Sequence, residues 1–436
     1  MKIKTETITF SIWCAILFSR ILISQDNSVL SSPLKMYYIS SALLIVFIFF
    51  QWIRCSKKLR SGPILFWGSA FGVYVVLFGK ILVNNSLKDL TEFTFNALVI
   101  FYILVFIMAS YIKDNKCRIV TFVKTTFWTF TIGIIFSAAL NWDGKLALGG
   151  LVSNVFGGYT RTRAAFGFYH PNAVANIALC VIVLSSYLVC ENKRKNVYFI
   201  IDIFMMYIIL ATASRTALSA LILFFVLILY GRLLNKIKSN NGKRGLIAGL
   251  VLIIITLILF SSENGVEGLF TLSNRSYNFV YNVPVLVKSG RLWIGVGLIG
   301  SGEFYQLPQY NTFFVDNYFL YVLMSTGIIG LIFISCFMLF ILKRLLNQSS
   351  NDSFKRLTLI VFGINVFSSL GETCFMYPSF ASCFAFTVLY IAYACSKEQN
   401  DCVWNKRIFK SRRNMFYVSF FCILFCFYSI VYRLCL

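Results

Sequence analysis

The sequence predicts an all-α polytopic integral membrane protein with about 12 or 13 transmembrane helices and a large outer loop between residues 261 and 316. Three observations predict it. Of 436 residues, 58% are hydrophobic and only 13% charged, against about 45–50% and about 25% in a soluble globular protein. A core of this size cannot hide that excess, so a soluble enzyme is excluded. Apolar runs of about 20 residues, enough to cross a bilayer, recur along the whole chain. Lysine and arginine segregate to alternate loops between those runs.

Thirteen spans follow in order, at roughly 7–24, 37–53, 63–83, 93–112, 119–140, 171–190, 197–211, 216–230, 245–260, 317–342, 357–370, 379–395 and 415–432. The first follows Lys2 and Lys4 and reads as an uncleaved signal anchor, because no small-x-small cleavage site follows its apolar stretch. The two spans around Ser214 are short, as is the one before Gly371. Of the 40 basic residues, 28 fall on the N-terminus and alternate loops, leaving 12 for the other side, which holds the two longest loops. The positive-inside rule places the N-terminus in the cytoplasm and the loops at 141–170 and 261–316 outside. The net charge of +24 is therefore a topology label beside anionic lipid, and a nucleic-acid partner is excluded.

The 13 cysteines form no C-x-x-C pair, and one histidine cannot complete a Cys/His zinc set, so neither a metal site nor a disulfide framework is expected. No repeat or low-complexity linker divides residues 1–436, which read as one multipass domain. No cofactor is implied.

Chemistry-bearing residues concentrate on the outer side. Arg161, Arg163, Arg215 and Arg275 sit in polar turns flanked by Gly or Ser. Arginine's planar fork suits bidentate binding of phosphate or carboxylate, and several converging there would suit a diphosphate head group. Each also has a plain reading as a loop charge or a snorkelling anchor. Arg215 lies close to the membrane, where an unpaired charge is costly. Asp202, near the cytoplasmic end of its span, reads as interfacial.

His170, the only histidine, precedes Pro171 and Asn172. Pro171 suits the first turn of a helix, whose free N–H groups favour an anion just where Arg161 and Arg163 precede it. His170 could act as acid or base or simply pack at the helix start. In the longest loop, residues 276–290 are apolar but too short to span, Pro284 is expected to break any regular helix, and an interfacial or re-entrant segment is expected. The glycines of RLWIGVGLIGSGEF, which includes Arg291, favour a close-packed turn. Asp316 then sits at the mouth of the tenth span, as a helix cap or a catalytic residue.

The ordered set R-x-R-x-x-F-G-F-x-H-P-N (161–172), S-R-T (214–216), N-R-S (274–276), G-V-G-L-I-G (295–300) and D-N-Y-F-L…G-I-I-G (316–330) resembles the O-antigen ligase and Wzy-type repeat-unit polymerase superfamily. The likeness covers roughly 150–335, with weaker agreement at GETCFMYPSF. It implies a bacterial plasma-membrane glycosyltransferase acting on undecaprenyl-diphosphate-linked oligosaccharides. Membrane lipid, and the flippase and chain-length regulator of the same pathway, are its implied partners. It further implies that Arg163, Arg215, Arg275 and Arg291 bind the diphosphate, while Arg161, Pro171, Asn172 and Asn317 shape the site. The ligases place a His where this chain has Asp316, which favours a polymerase. The base is left among Asp316, His170 and Glu372, in that order, and the active site is expected between the loops 141–170 and 261–316. A ligase-like transferase and a lipid-linked oligosaccharide flippase are the alternatives. A flippase calls for charged or broken helices at mid-bilayer.

Overall fold

A computed structural model of the chain describes residues 5–25, 31–54, 88–113, 115–142, 163–191, 195–236, 273–301, 303–307, 309–310, 315–348 and 353–396. The described residues form eleven α-helices and no strand, with one isolated bridge between Gln25 and Phe168. In chain order the helices are α1 (Thr5–Ile23), α2 (Ser31–Arg54), α3 (Lys88–Ile112), α4 (Lys116–Leu140), α5 (Pro171–Glu191) and α6 (Lys195–Ala211). Then come α7 (Arg215–Lys236), α8 (Ser273–Lys288), α9 (Tyr318–Gln348), α10 (Ser353–Ser368) and α11 (Ala381–Cys395). Six of them, α1 to α5 and α9, are long and apolar enough to cross a membrane, and α6, α7 and α11 are shorter apolar helices. The protein is thus a multi-pass all-α membrane protein. Ten of the thirteen expected spans fall on these helices; those at 63–83, 245–260 and 415–432 lie outside the described residues.

A helix apolar on every side belongs in the middle of a bundle. α11 is such a helix, with 14 residues buried from Ala381 to Ala394, and α5 is buried over most of its length. They pack on each other, α11 also against α3, α9 and α10, and α5 also against α4 and α6. Peripheral helices turn large apolar side chains outward, as Phe50 on α2 and Phe199 on α6 do, the pattern expected of a surface that meets lipid. At the end of the bundle near residues 113–118, Asn115 caps α4 by accepting from the Arg118 amide at 3.2 Å, and Arg118 Nε donates to Glu6 Oε1 of α1 at 2.8 Å.

One expectation needs correction. Pro284 does not break a helix: it lies inside α8. Its fixed φ is already helical, and the helix absorbs both the bond its missing N–H would make and the crowding of its ring against the carbonyl four residues earlier. Asp202 lies half-buried in the first half of α6 and accepts from Ser185 Oγ of α5 at 2.8 Å.

α9 is interrupted at Gly327 (φ 68°, ψ −167°). The interruption is filled by the turn after α8. Val296 N donates to the Met324 carbonyl at 2.8 Å and Gly297 N to that of Ser325 at 2.9 Å. In return, Ile328 N donates to the Leu292 carbonyl at 2.9 Å and Ile329 N to that of Trp293 at 3.4 Å. The two backbones touch where both residues are glycine: a Cβ on Gly327 would lie 2.2 Å from the Trp293 carbonyl, and one on Gly295 2.4 Å from that of Ser325.

Candidate functional site

One end of the bundle gathers residues 163–170, 212–214, 298–301, 315–317 and 369–380. The first is a compact turn. Phe166 (φ 48°) and Gly167 (φ 80°) both take left-handed backbone, and a Cβ at Gly167 would meet the Asn141 amide at 2.3 Å. Ser137 Oγ of α4 donates to the Phe166 carbonyl at 2.6 Å, Tyr169 N to the Ser24 carbonyl at 2.9 Å, and Ala164 N to the Ala211 carbonyl at 3.1 Å. Three helix ends thereby hold the turn in place.

It delivers Arg163, His170, Pro171 and Asn172 to one place. α5 begins at Pro171, as the sequence predicts. Arg163 Nε donates to the Thr212 carbonyl at 3.1 Å, and Arg163 Nη2 donates to Asn172 Oδ1. Asn172 Nδ2 in turn donates to Glu372 Oε1. The result is a line of side chains, Arg163 to Asn172 to Glu372, in which the last two are buried. A carboxyl buried in a loop is expensive unless hydrogen bonds compensate it, and structures keep such groups mainly where they act. A second line of support holds the asparagine, as Asn176 Nδ2 donates to the Asn172 carbonyl at 2.9 Å.

The histidine has a defined tautomer. Asn172 N donates to His170 Nδ1 at 3.1 Å, so Nδ1 is an acceptor and the proton of neutral His170 resides on Nε2. Burial, assisted by the Arg163 cation, pushes the imidazole down to about 4 from 6.5. Neutral His170 is therefore a donor at Nε2 rather than a base. The unfolded chain binds this proton near pH 6.5 while the folded chain resists it to about 4, so the associated stability is complete above 6.5 and lost as pH falls between those values. We expect the thermal midpoint of the wild type to fall across that window relative to His170→Asn. Parallel pH profiles for the two proteins would contradict the lowering of the imidazole by burial and Arg163.

The 369–380 segment is the hub. Its Leu370 carbonyl accepts from Asn317 Nδ2 at 2.9 Å, and its Ser369 carbonyl from Tyr318 N at 2.9 Å, which joins it to the start of α9. Asn317, not Asp316, is the helix cap: its Oδ1 accepts from Phe319 N at 2.9 Å and Leu320 N at 3.0 Å. Asp316 stands one residue outside the cap, half-buried. On the other flank Arg20, at the end of α1, donates through Nη2 to the Pro378 carbonyl, with its guanidinium 5.4 Å from the Tyr37 ring centre and 5.6 Å from that of Phe384. Tyr102 Oη of α3 donates to the Met376 carbonyl at 2.8 Å.

Arg20 and Asn176 were absent from the sequence-derived site. An arginine at the end of an apolar span was the available signal for the first; nothing in the sequence marked the second. The tyrosine beside His170 reports the same neighbourhood, because burial raises the Tyr169 hydroxyl while Arg20 opposes and Glu372 adds to the shift.

Arg215 opens α7, one residue beyond the buried Ser214 and two beyond left-handed Ala213 (φ 46°). Ser214 Oγ makes no hydrogen bond, so this hydroxyl does not cap the amides of the first turn of α7. The turn is held to Arg163 through Thr212, which brings the starts of α5 and α7 and two arginines to the same end. Arg291 occupies another position, past Gly290 at the end of α8, where its charge acts on the Tyr310 hydroxyl. Arg275 lies in the first turn of α8; Arg161 is outside the described residues, as are 143–162 and 237–272 of the loops and spans around them.

No protein-family model matches the chain, and no curated protein matches it. The fold and the site together define a multi-pass membrane protein with a line of arginine, asparagine and glutamate, the last two buried, at one end of an all-helical bundle.

Proposed function

We propose that the protein is a polysaccharide polymerase, joining undecaprenyl-diphosphate-linked oligosaccharide repeat units at the outer face of the bacterial plasma membrane. The observation that carries this reading is the Arg163, Asn172 and Glu372 line, which sets a cation and a proton acceptor on the two sides of one amide. Glycosyl transfer from a lipid diphosphate needs both. A sugar hydroxyl of one repeat unit attacks the anomeric carbon of another glycan, and the bond from that carbon to the diphosphate oxygen breaks. The hydroxyl proton passes to Glu372, and undecaprenyl diphosphate departs with the bonding pair. Arg163 and Arg215, with the helix starts of α5 and α7, stabilise the negative charge that develops on it.

Among the three candidate bases, Glu372 takes precedence over Asp316 and His170 on this reading. His170 Nδ1 is already an acceptor for Asn172 N, which leaves Nε2–H to donate to a phosphate or sugar oxygen. Asn172 aligns donor and acceptor, and Asn317 fixes the mouth of α9 to the same hub. Arg118, Lys343 and Arg356, at the opposite ends of α4, α9 and α10, fit a cytoplasmic face, and on this reading the site faces outward.

The test supplies purified protein with a defined lipid-linked repeat unit and resolves products by length. A ladder is expected from the wild type. Arg215→Ala and Arg275→Ala are expected to insert normally and yield no long chains; normal polymer from both refutes the assignment. Translocation of the lipid without new glycosidic bonds would identify a flippase, and product only on adding a second acceptor would identify a ligase.

A further inference from the structure

The turn that follows α8 lies beside the interior of a membrane-spanning helix, not beside its end. Gly327 is the tenth residue of α9 and stands sixteen residues before Lys343. At about 1.5 Å per residue it lies about 24 Å from that lysine, inside a hydrocarbon layer about 30 Å thick. Irregular backbone at such a depth persists only if its polar groups are satisfied by protein. The four backbone bonds between 292–297 and 324–329 do this reciprocally.

Among the described side chains of α8, two asparagines are buried while apolar residues are exposed. Asn278, Asn282 and Leu286 form its buried face, and Asn282 is completely buried. Tyr281, Pro284 and Val287 face outward. The outward surface continues through Trp293, 61% exposed, and Ile294, 40% exposed, to Ile329 and Ile332 of α9, the latter 57% exposed. Ile329 is itself bonded to the Trp293 carbonyl, so this surface is continuous with the side of a membrane-spanning helix. Polar groups turned inward and a Tyr, Val, Trp and Ile surface outward, edged by Lys288, are the signature of an element immersed at a lipid boundary.

We propose that residues 273–297 form a re-entrant hairpin: α8 descends into the leaflet on the Tyr318 side of α9, and Trp293 and Ile294 at its tip contact phospholipid acyl chains. The partner of this surface is bulk lipid, and the inference does not depend on the glycosyl-transfer reading. It is tested with the full chain in nanodiscs of phosphatidylcholine brominated at shallow or at deep acyl positions. The difference between the tryptophan emission of wild type and Trp293→Phe isolates the indole at the tip. The expected result is about a two-fold loss of that component in brominated lipid, stronger for the shallow bromines, with little quenching by aqueous iodide. A component untouched by either bromine and quenched by iodide overturns the proposal. A second measurement needs no variant: a diazirine-bearing acyl chain, photolysed around wild-type protein, is expected to label the peptide containing Trp293 and Ile294 as well as that containing Ile332. Labelling confined to the Ile332 peptide overturns the proposal, as does a crosslink from the Trp293 peptide to a second copy of the chain in place of lipid.

Discussion

Glu372→Gln is expected to lower the rate of chain elongation by about 10²–10⁴-fold, the usual contribution of a positioned proton acceptor, while the protein inserts and melts as the wild type does. The substitution is chosen because it separates chemistry from placement. A glutamine keeps the shape and retains a carbonyl oxygen to accept from Asn172 Nδ2, so the line back to Arg163 survives. What it loses is the capacity to take the hydroxyl proton. Asn172→Leu makes the complementary change: the carboxyl remains, but neither Arg163 nor Glu372 retains its bond to this side chain. Loss of elongation with both variants fits an acceptor that must be both basic and aligned. Elongation at the wild-type rate with Glu372→Gln removes Glu372 from the mechanism, and Asp316→Asn then becomes the decisive variant.

The second large effect is expected at Gly327→Ala. The residue occupies a φ, ψ region open essentially to glycine alone, where another residue costs about 1–3 kcal/mol in strain. The new Cβ would also fall 2.2 Å from the Trp293 carbonyl, and that obstacle is backbone, which cannot rotate aside. The turn and α9 must separate, releasing four hydrogen bonds whose polar groups then lack partners. A lowered thermal midpoint and faster exchange of the Val296 and Gly297 amides are the measurements. Gly363→Ala in α10 is the comparison, since a Cβ there meets nothing within 4 Å and alanine is the better helix former by about 1 kcal/mol. Equal behaviour of the two variants would show that the contact at Gly327 does not hold the structure together.

The helices were legible because each is a local property. Apolar runs of bilayer length mark themselves, and Pro171 marks the start of α5 by its missing N–H. The site was legible in part for the same reason: Arg163, His170, Pro171 and Asn172 lie within ten residues of one another, and their pattern is visible along the chain. Their link to Glu372, 200 residues away, was not. Which helix ends sit side by side is decided by lateral packing, and the apolar faces responsible are too uniform to encode a partner in any one segment. Thus Asp316 ranked above Glu372 on its place in a motif, whereas the packing of α11 against α5 and α10 brings the 369–380 segment to Asn172. Pro284 misled for a different reason: a residue that disfavours a helix locally is outweighed when the remaining bonds and a buried face support one.

The bond from Arg20 to the Pro378 carbonyl joins residues 358 positions apart, which has a consequence for biosynthesis. At about 5–20 residues per second, a ribosome needs about 20–70 s to make the chain between them. For that time the first helix carries a guanidinium in the membrane without its final acceptor or the Phe384 ring, and its flexible stem lets the charge wait at the water boundary. The hub is thus a late fastening: helices made early enter the bilayer one by one, and the glutamate reaches Asn172 only after more than four-fifths of the chain has been translated. A nascent chain arrested before residue 372 carries Arg163 and Asn172 without the carboxyl that completes their line.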